Sequence, residues 1–364
     1  MLVCAVSGCQ RRWVEETDSA GLRVLHTERR SGGDGTARVV LKVEEGETAL
    51  LATASVPRPL LVHVRSVIDP DGTEVFASEE WNLNPLSKTN AGFIASTSSL
   101  NWPINLDDLP LRPGRWTLEL GVLDAEIEPA SAVVQVDALL KSDPDLSAGR
   151  VSVAVVYTGS LGDDPALTGA IEQAQEAWTE MLAPLSLAVS FEGFDFEGTG
   201  LRSPVFGEED AYIDIASSTG LRQVNVVLSD TITDFADAYG LAGDIPGPLV
   251  PTPRSGVQIS TLLAAGPDGE FSDGEIRLLA ETMAHEVGHF LGLFHPVEAD
   301  WSAWDVLSDT KHCNNERGCV ETLGDNLMFP FPLCAGSGAS VQCLTQDVIT
   351  DEQAAVLHRY TGTE

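Results

Sequence analysis

Residues His285 to His295 read HEVGHFLGLFH, and their types and spacing describe a metal site before any fold is known. On a helix, positions four apart project from one face, so His285 and His289 can offer two imidazole nitrogens to a single ion. Glu286 follows the first of them. A carboxylate there lies beside the ion's open position, where it can take a proton from water and pass it to a leaving amine. Gly292 supplies the turn out of the helix: with no Cβ it can adopt a positive φ, and the reversal brings His295 back as a third nitrogen. Three neutral imidazoles on Zn2+ leave the ion positively charged with a vacant corner, at which water loses a proton near pH ~7. A purely structural zinc site has no use for an acid at position 286.

The pattern H-E-x-x-H-x-x-G-x-x-H resembles the zinc-binding string of the metzincin metallopeptidases. Gly324-Asp325-Asn326-Leu327-Met328-Phe329-Pro330 is similar to their Met-turn, which implies that Met328 floors the site without touching substrate. Within that family, the same string, Ser308-Asp309-Thr310 and a cysteine-bearing region look most like the pappalysin branch. Pro296 departs from the pappalysin pattern, and Pro330 stands where several metzincins carry a tyrosine, so that auxiliary group is missing. The resemblance runs from about Val151 to the end and implies an α/β metzincin-like zinc peptidase domain. It further implies an exported endopeptidase in which Glu286 is base and then acid, and a protein or peptide substrate bound as an extended strand. Calcium is implied as well, with Glu298, Asp300, Asp305 and Asp309 as the available acids, although no EF-hand loop is present. The alternative from another class is a surface-anchored binding protein that retains a non-catalytic zinc site.

These residues need elements to hold them. Ser272-Asp273-Gly274-Glu275 has the spacing of a capping box and predicts the start of the zinc helix. Ile276, Leu279, Ala280, Met283 and Val287 form its apolar stripe, and His285 and His289 fall on the other side. Glu281 is either an outer support for the ligands or a solvated carboxylate. Upstream, an α/β order is expected: strand Val151 to Tyr157, helix Pro165 to Leu182 with Trp178 in the core, then strands Leu185 to Phe191 and Gln223 to Leu228. Four prolines between Ile245 and Pro253 exclude regular structure there, and Gly256 to Thr261 reads as an edge strand able to pair with substrate. Thr350-Asp351-Glu352-Gln353 opens a closing helix that runs to Tyr360.

From Thr36 to Leu140 short β-branched runs alternate with turns such as Asp69-Pro70-Asp71-Gly72 and Arg112-Pro113-Gly114, the pattern of an antiparallel β-sandwich. The chain thus divides into a signal-like leader (1–8), a tether (9–35), a β-sandwich accessory domain (36–140), a linker (141–150) and the zinc domain (151–364). No catalytic cluster appears in the sandwich, where His63 reads as a strand residue.

Val6-Ser7-Gly8-Cys9 resembles a bacterial lipobox, which implies Cys9 as the lipidated residue and an outer-membrane or extracellular location; no basic residue precedes it. The membrane is reached only through that anchor, because no stretch is apolar for long enough to span a bilayer. Asp and Glu number 55 against 21 Lys and Arg, a formal charge of -34, which repels phosphate backbones and excludes nucleic acid as a partner. Cys313, Cys319, Cys334 and Cys343 lack the close pairs of a structural zinc site and read as two disulfides, with three connectivities open.

Overall fold

The computed structural model describes residues 13–17, 22–78, 88–92, 94–143, 145–206, 210–265, 270–335 and 342–364. Cys9 and the expected leader lie outside the described residues. The chain divides into two compact units that meet in sequence between Asp145 and Leu146.

The first unit holds β1 (Val14–Thr17), β2 (Arg23–Arg30), β3 (Thr36–Val43), β4 (Ala49–Ser55), β5 (Leu61–Ile68), β6 (Glu74–Ala77), β7 (Thr97–Trp102), β8 (Gly114–Leu123) and β9 (Val133–Lys141). They form two antiparallel sheets, ordered β1-β2-β9-β4-β7 and β3-β8-β5-β6. Alternation does the work: in β3, Ala37, Val39, Leu41 and Val43 are buried, and they share one apolar core with Leu25, Ala52, Leu100 and Ala138 of the other sheet. Trp116 is fully buried and donates its indole N–H to the carbonyl of Arg112 at 2.7 Å. The Asp69 turn is closed by N–H groups of Asp71 and Thr73, both at 2.9 Å, and braced by Arg112.

One expectation needs correction here. The stretch read as a tether contains β1 and β2, and β2 pairs with β9 from Arg23 opposite Leu140 to Arg30 opposite Val133. Its Arg and Glu residues disguise a strand whose Val24 and Leu25 are buried. Strand β7 is unforeseen because Thr97, Ser98 and Ser99 carry no apolar pattern; they are buried nonetheless, Ser99 sharing a 3.2 Å hydrogen bond with Thr53 of β4.

The second unit runs β10 (Gly149–Thr158), α1 (Pro165–Leu182), β11 (Leu187–Phe196), α2 (Ala211–Thr219), β12 (Gln223–Ser229), β13 (Gly240–Ala242), β14 (Val257–Ser260), α3 (Thr261–Ala265), α4 (Asp273–Phe290), α5 (Glu316–Leu323), β15 (Cys334–Ala335), β16 (Gln342–Cys343) and α6 (Asp351–Arg359). Its main sheet is ordered β11-β10-β12-β14-β13, parallel except for β13, which pairs antiparallel with β14. Central β10 and β12 are apolar on both faces, as Val153, Ala154, Val155, Val226 and Val227 at 0 % exposure require of a parallel sheet covered on both sides. Helix α1 starts at Pro165, capped by Asp164, which accepts from the Ala166 N–H at 2.9 Å; Trp178 is buried with its ring 5.3 Å from that of Phe191. The segment expected at the sheet edge, Gly256 to Thr261, contains β14, which is interior; the edge strand on that side is β13. Sequence could not find it because three residues, Gly-Leu-Ala, carry no period.

The four described cysteines pair as Cys313–Cys319 and Cys334–Cys343, the second joining β15 to β16. No described helix is long and apolar enough to cross a membrane.

Candidate metal centre

Helix α4 begins with a complete capping box: the Ser272 hydroxyl accepts from the Glu275 N–H at 3.4 Å, and the Ser272 N–H donates to Glu275 Oε2 at 2.8 Å. Leu278, Leu279, Ala280, Met283, Val287 and Phe290 are buried along it. It ends in a Schellman motif. Gly292 takes φ +115°, its N–H donates to the His289 carbonyl, and the Leu293 N–H donates to the Gly288 carbonyl, both at 2.9 Å. The reversal carries the chain back so that His295 faces His285 and His289.

The three Nε2 atoms converge, with His289 to His295 at 3.1 Å and His295 to His285 at 3.3 Å. Each Nδ1 is engaged elsewhere. His285 Nδ1 meets the Leu327 carbonyl and His289 Nδ1 the Leu293 carbonyl, both at 2.7 Å, and His295 Nδ1 meets Glu298 Oε2 at 3.1 Å. A carbonyl only accepts, so the protons of His285 and His289 sit on Nδ1 and their Nε2 lone pairs point at the convergence. Burial, then the neighbouring histidines, pushes His285 down to about 3 and His289 well below its usual range, which keeps both rings neutral. Lone pairs aimed at one another repel unless a cation lies between them. Tetrahedral Zn2+ with Zn–N of ~2.0–2.1 Å sets its nitrogens about 3.3–3.4 Å apart, and the donor set therefore fits zinc. Among the described residues, these three histidines are the group of metal-binding side chains whose ligand atoms all lie within 4.8 Å of one another.

Glu286 is buried on α4 beside them. Burial pushes its carboxyl up to about 8, against an N–H of Ala242 on β13 that favours the anion. Strand β13 passes so close that a Cβ on Gly240 would stand 2.4 Å from Glu286 Cγ, so any side chain here would displace the Glu286 carboxylate. On the other side of the helix, a Cβ on Gly288 would stand 2.6 Å from Met328 Sδ, and Met328 is fully buried there. The turn that carries Leu327 and Met328 is tied by the Asn326 side chain, which accepts from the Met328 N–H and donates to Gln353, both at 2.9 Å. Gln353 also closes the capping box of α6, so the helix at the end of the chain fixes the carbonyl that orients His285.

Apart from Glu298, the remaining candidates separate from the centre. Glu281 is buried and accepts from Arg277 Nε at 2.8 Å and the Gln346 N–H at 3.1 Å; it is neither a support for the ligands nor solvated. Calcium finds no support, because the acids proposed for it are dispersed among local bonds. Glu298 meets His295, Asp300 accepts from Ser302, Asp305 from Thr310, and Asp309 from Thr350 and the Glu352 N–H. Burial pushes Asp305 up to about 7. His312 stacks on Trp304 at 4.6 Å, and buried His358 meets the Leu185 carbonyl at 2.9 Å. Sequence reading missed Gly240, Gly288 and the role of Glu298. The first two are legible only as glycines without a turn to explain them.

No protein-family model matches this chain, and no curated protein matches it. Among solved structures it is similar to metalloproteinase-II from Bacteroides fragilis, at 15% identity over 44% of this chain and 53% of that one, with a TM-score of 0.29. It is also similar to an archaemetzincin from Methanopyrus kandleri, at 12% identity over 58% of this chain and 88% of that one, with a TM-score of 0.30. The chain spans about half the length of the Bacteroides fragilis protein.

Proposed function

We propose that this chain is an exported zinc endopeptidase of the metzincin kind, on the pappalysin side of that family. The observation that carries the reading is the convergence of three Nε2 atoms on a helix and its exit, with the buried carboxylate of Glu286 next to the first ligand in the chain and held by an N–H of Ala242. Zinc held by three neutral imidazoles supplies a Lewis acid for a carbonyl and lowers the pKa of water to about 7.

The chain's own groups do the rest. Glu286 would accept a proton at its carboxylate and return it to the leaving amine; burial favours its protonated form, and a cation held by the adjacent histidines would favour the anion that the first of these steps needs. Ala242 keeps that carboxylate in place. Met328 and Gly288 set the floor under the helix. Strand β13 is the sheet edge next to Glu286, and an extended peptide adding to it by backbone hydrogen bonds would bring its scissile bond past the carboxylate with little demand on sequence. Two disulfides are compatible with an oxidising, exported setting.

The test divides the labour between base and ligands. Glu286→Gln keeps the side chain's size and all three histidines, so zinc content should stay near that of the wild type while hydrolysis of a denatured-protein substrate falls at least ~100-fold. His289→Ala should lose both metal and hydrolysis. Wild-type hydrolysis by Glu286→Gln removes the glutamate from the mechanism, and a zinc-loaded wild type that cuts no protein favours a binding protein with a non-catalytic site.

A further inference from the structure

The three ligands do not have equivalent surroundings. His285 and His289 donate to backbone carbonyls, whereas His295 faces a carboxylate, Glu298 Oε2, 3.1 Å from its Nδ1. His295 is also the ligand outside the helix, so nothing periodic holds its ring.

The loop around Glu298 is built as a clamp. Pro296 follows the ligand and confines His295 to extended backbone. Val297 is fully buried and packs with Cys319, Leu323 and Phe329, which anchors the chain between ligand and acid. The Glu298 N–H donates to the Ala303 carbonyl at 2.8 Å and its own carbonyl accepts from the Trp301 N–H at 2.9 Å, so both sides of the residue are pinned. Trp301 holds φ +62°, a conformation a bulky residue adopts only when its surroundings impose it. Its ring lies 6.2 Å from Phe329 and 5.8 Å from Phe331, on the segment that follows Met328 and contains no ligand. The same segment therefore sets the Leu327 carbonyl for His285 and, through Trp301, the carboxylate for His295.

We infer that Glu298 is the positioning residue for His295: it accepts a hydrogen bond from Nδ1–H, fixes the ring with Nε2 toward the metal, and gives this ligand an anionic partner that the other two lack. A carboxylate behind a ligand histidine orients the ring and raises its basicity, and loss of such a partner costs roughly 10–100-fold in metal affinity. The inference rests on the zinc reading above.

Zinc affinity of the full chain, measured by competition with a chromophoric chelator, tests it alongside the visible spectrum of the Co2+-substituted protein. Glu298→Ala should weaken zinc by roughly 10–100-fold and shift the Co2+ bands. Glu298→Gln keeps an acceptor oxygen without the charge, so it should fall between Ala and wild type. Metal-free thermal unfolding should be alike in all three, because the Glu298 side chain is 35% exposed and its truncation opens no cavity. Wild-type affinity and spectrum in Glu298→Ala overturn the inference and leave the peptidase standing. So does a loss of affinity matched by a lower metal-free melting temperature and not recovered by Gln, which marks a structural role. A wild type that binds zinc and cuts no protein removes the peptidase reading, while the graded affinities of the variants still support this one.

Discussion

His285 and His289 stand on a helix closed by a capping box at one end and a Schellman motif at the other, while His295 stands on irregular chain held by residues distant in sequence. The helix-borne pair gets its spacing from 3.6-residue periodicity, a property of every turn of α4 and of no particular contact. The loop-borne half has no such source. Its geometry is the sum of Gly292, Val297, the Glu298 turn, Trp301 on Phe329 and Phe331, and the Cys313–Cys319 bridge within the same cluster. Damage to the helix half should therefore appear as lost stability, and damage to the loop half as lost metal.

The junction between the halves should show the largest effect. Gly292 has φ +115°, which no L side chain adopts cheaply, and an added Cβ would also meet Val356 Cγ1 at 3.3 Å. Gly292→Ala should cost about 1–3 kcal/mol and move His295 off its mark. Zinc affinity should fall more than tenfold, beyond what the stability loss explains, as chelator competition and calorimetry on the metal-free protein would read. Unchanged zinc affinity in a destabilised variant would show that the reversal at Gly292 does not set the third ligand.

Next in size is the loop bridge. Replacing Cys313 and Cys319 by serine opens a short loop and should destabilise the chain by ~2 kcal/mol on the loop-entropy account. Because Cys319 packs with Val297 and Phe329, the loss should carry a severalfold fall in zinc affinity, which reductant applied to the wild type should reproduce. Equal zinc affinity in reduced and oxidised protein would confine the disulfide to stability.

The same contrast explains what could be read without a structure. His285, Glu286, His289, Gly292 and His295 are legible because a helix and its glycine exit translate spacing into position, and Ser272 and Glu275 mark where that helix starts. The sheets of the first unit are legible where Val and Leu alternate, as in β3, and fail where charge or hydroxyls fill the strand, as in β2 and β7. Glu298 is legible as an acid but not as the partner of His295, since only the Trp301 turn tells it apart from Asp300 and Asp309. Gly240 on the edge strand and Gly288 over Met328 are set by approach distances between segments far apart in sequence, and no local pattern encodes a distance.

Ser272→Ala should show the smallest effect and is the cleanest probe of the helix half. It removes a hydroxyl that satisfies the Glu275 N–H and leaves Glu275 Oε2 still facing the Ser272 backbone N–H, so about 1 kcal/mol is lost and the box opens on one side only. At roughly 2–4 °C per kcal/mol for a unit of this size, the melting temperature should fall by a few degrees. The ligands lie more than three turns further on, about 20 Å along the axis at 1.5 Å per residue. Fraying of the first turn leaves the later turns packed through Leu279, Met283 and Val287, so the spacing of His285 and His289 is unchanged. Zinc affinity, the Co2+ spectrum and hydrolysis should match the wild type at temperatures below the transition. A zinc affinity that falls with the melting temperature would mean that α4 transmits strain along its length, and the division between a helix that supplies spacing and a loop that supplies aim would be lost.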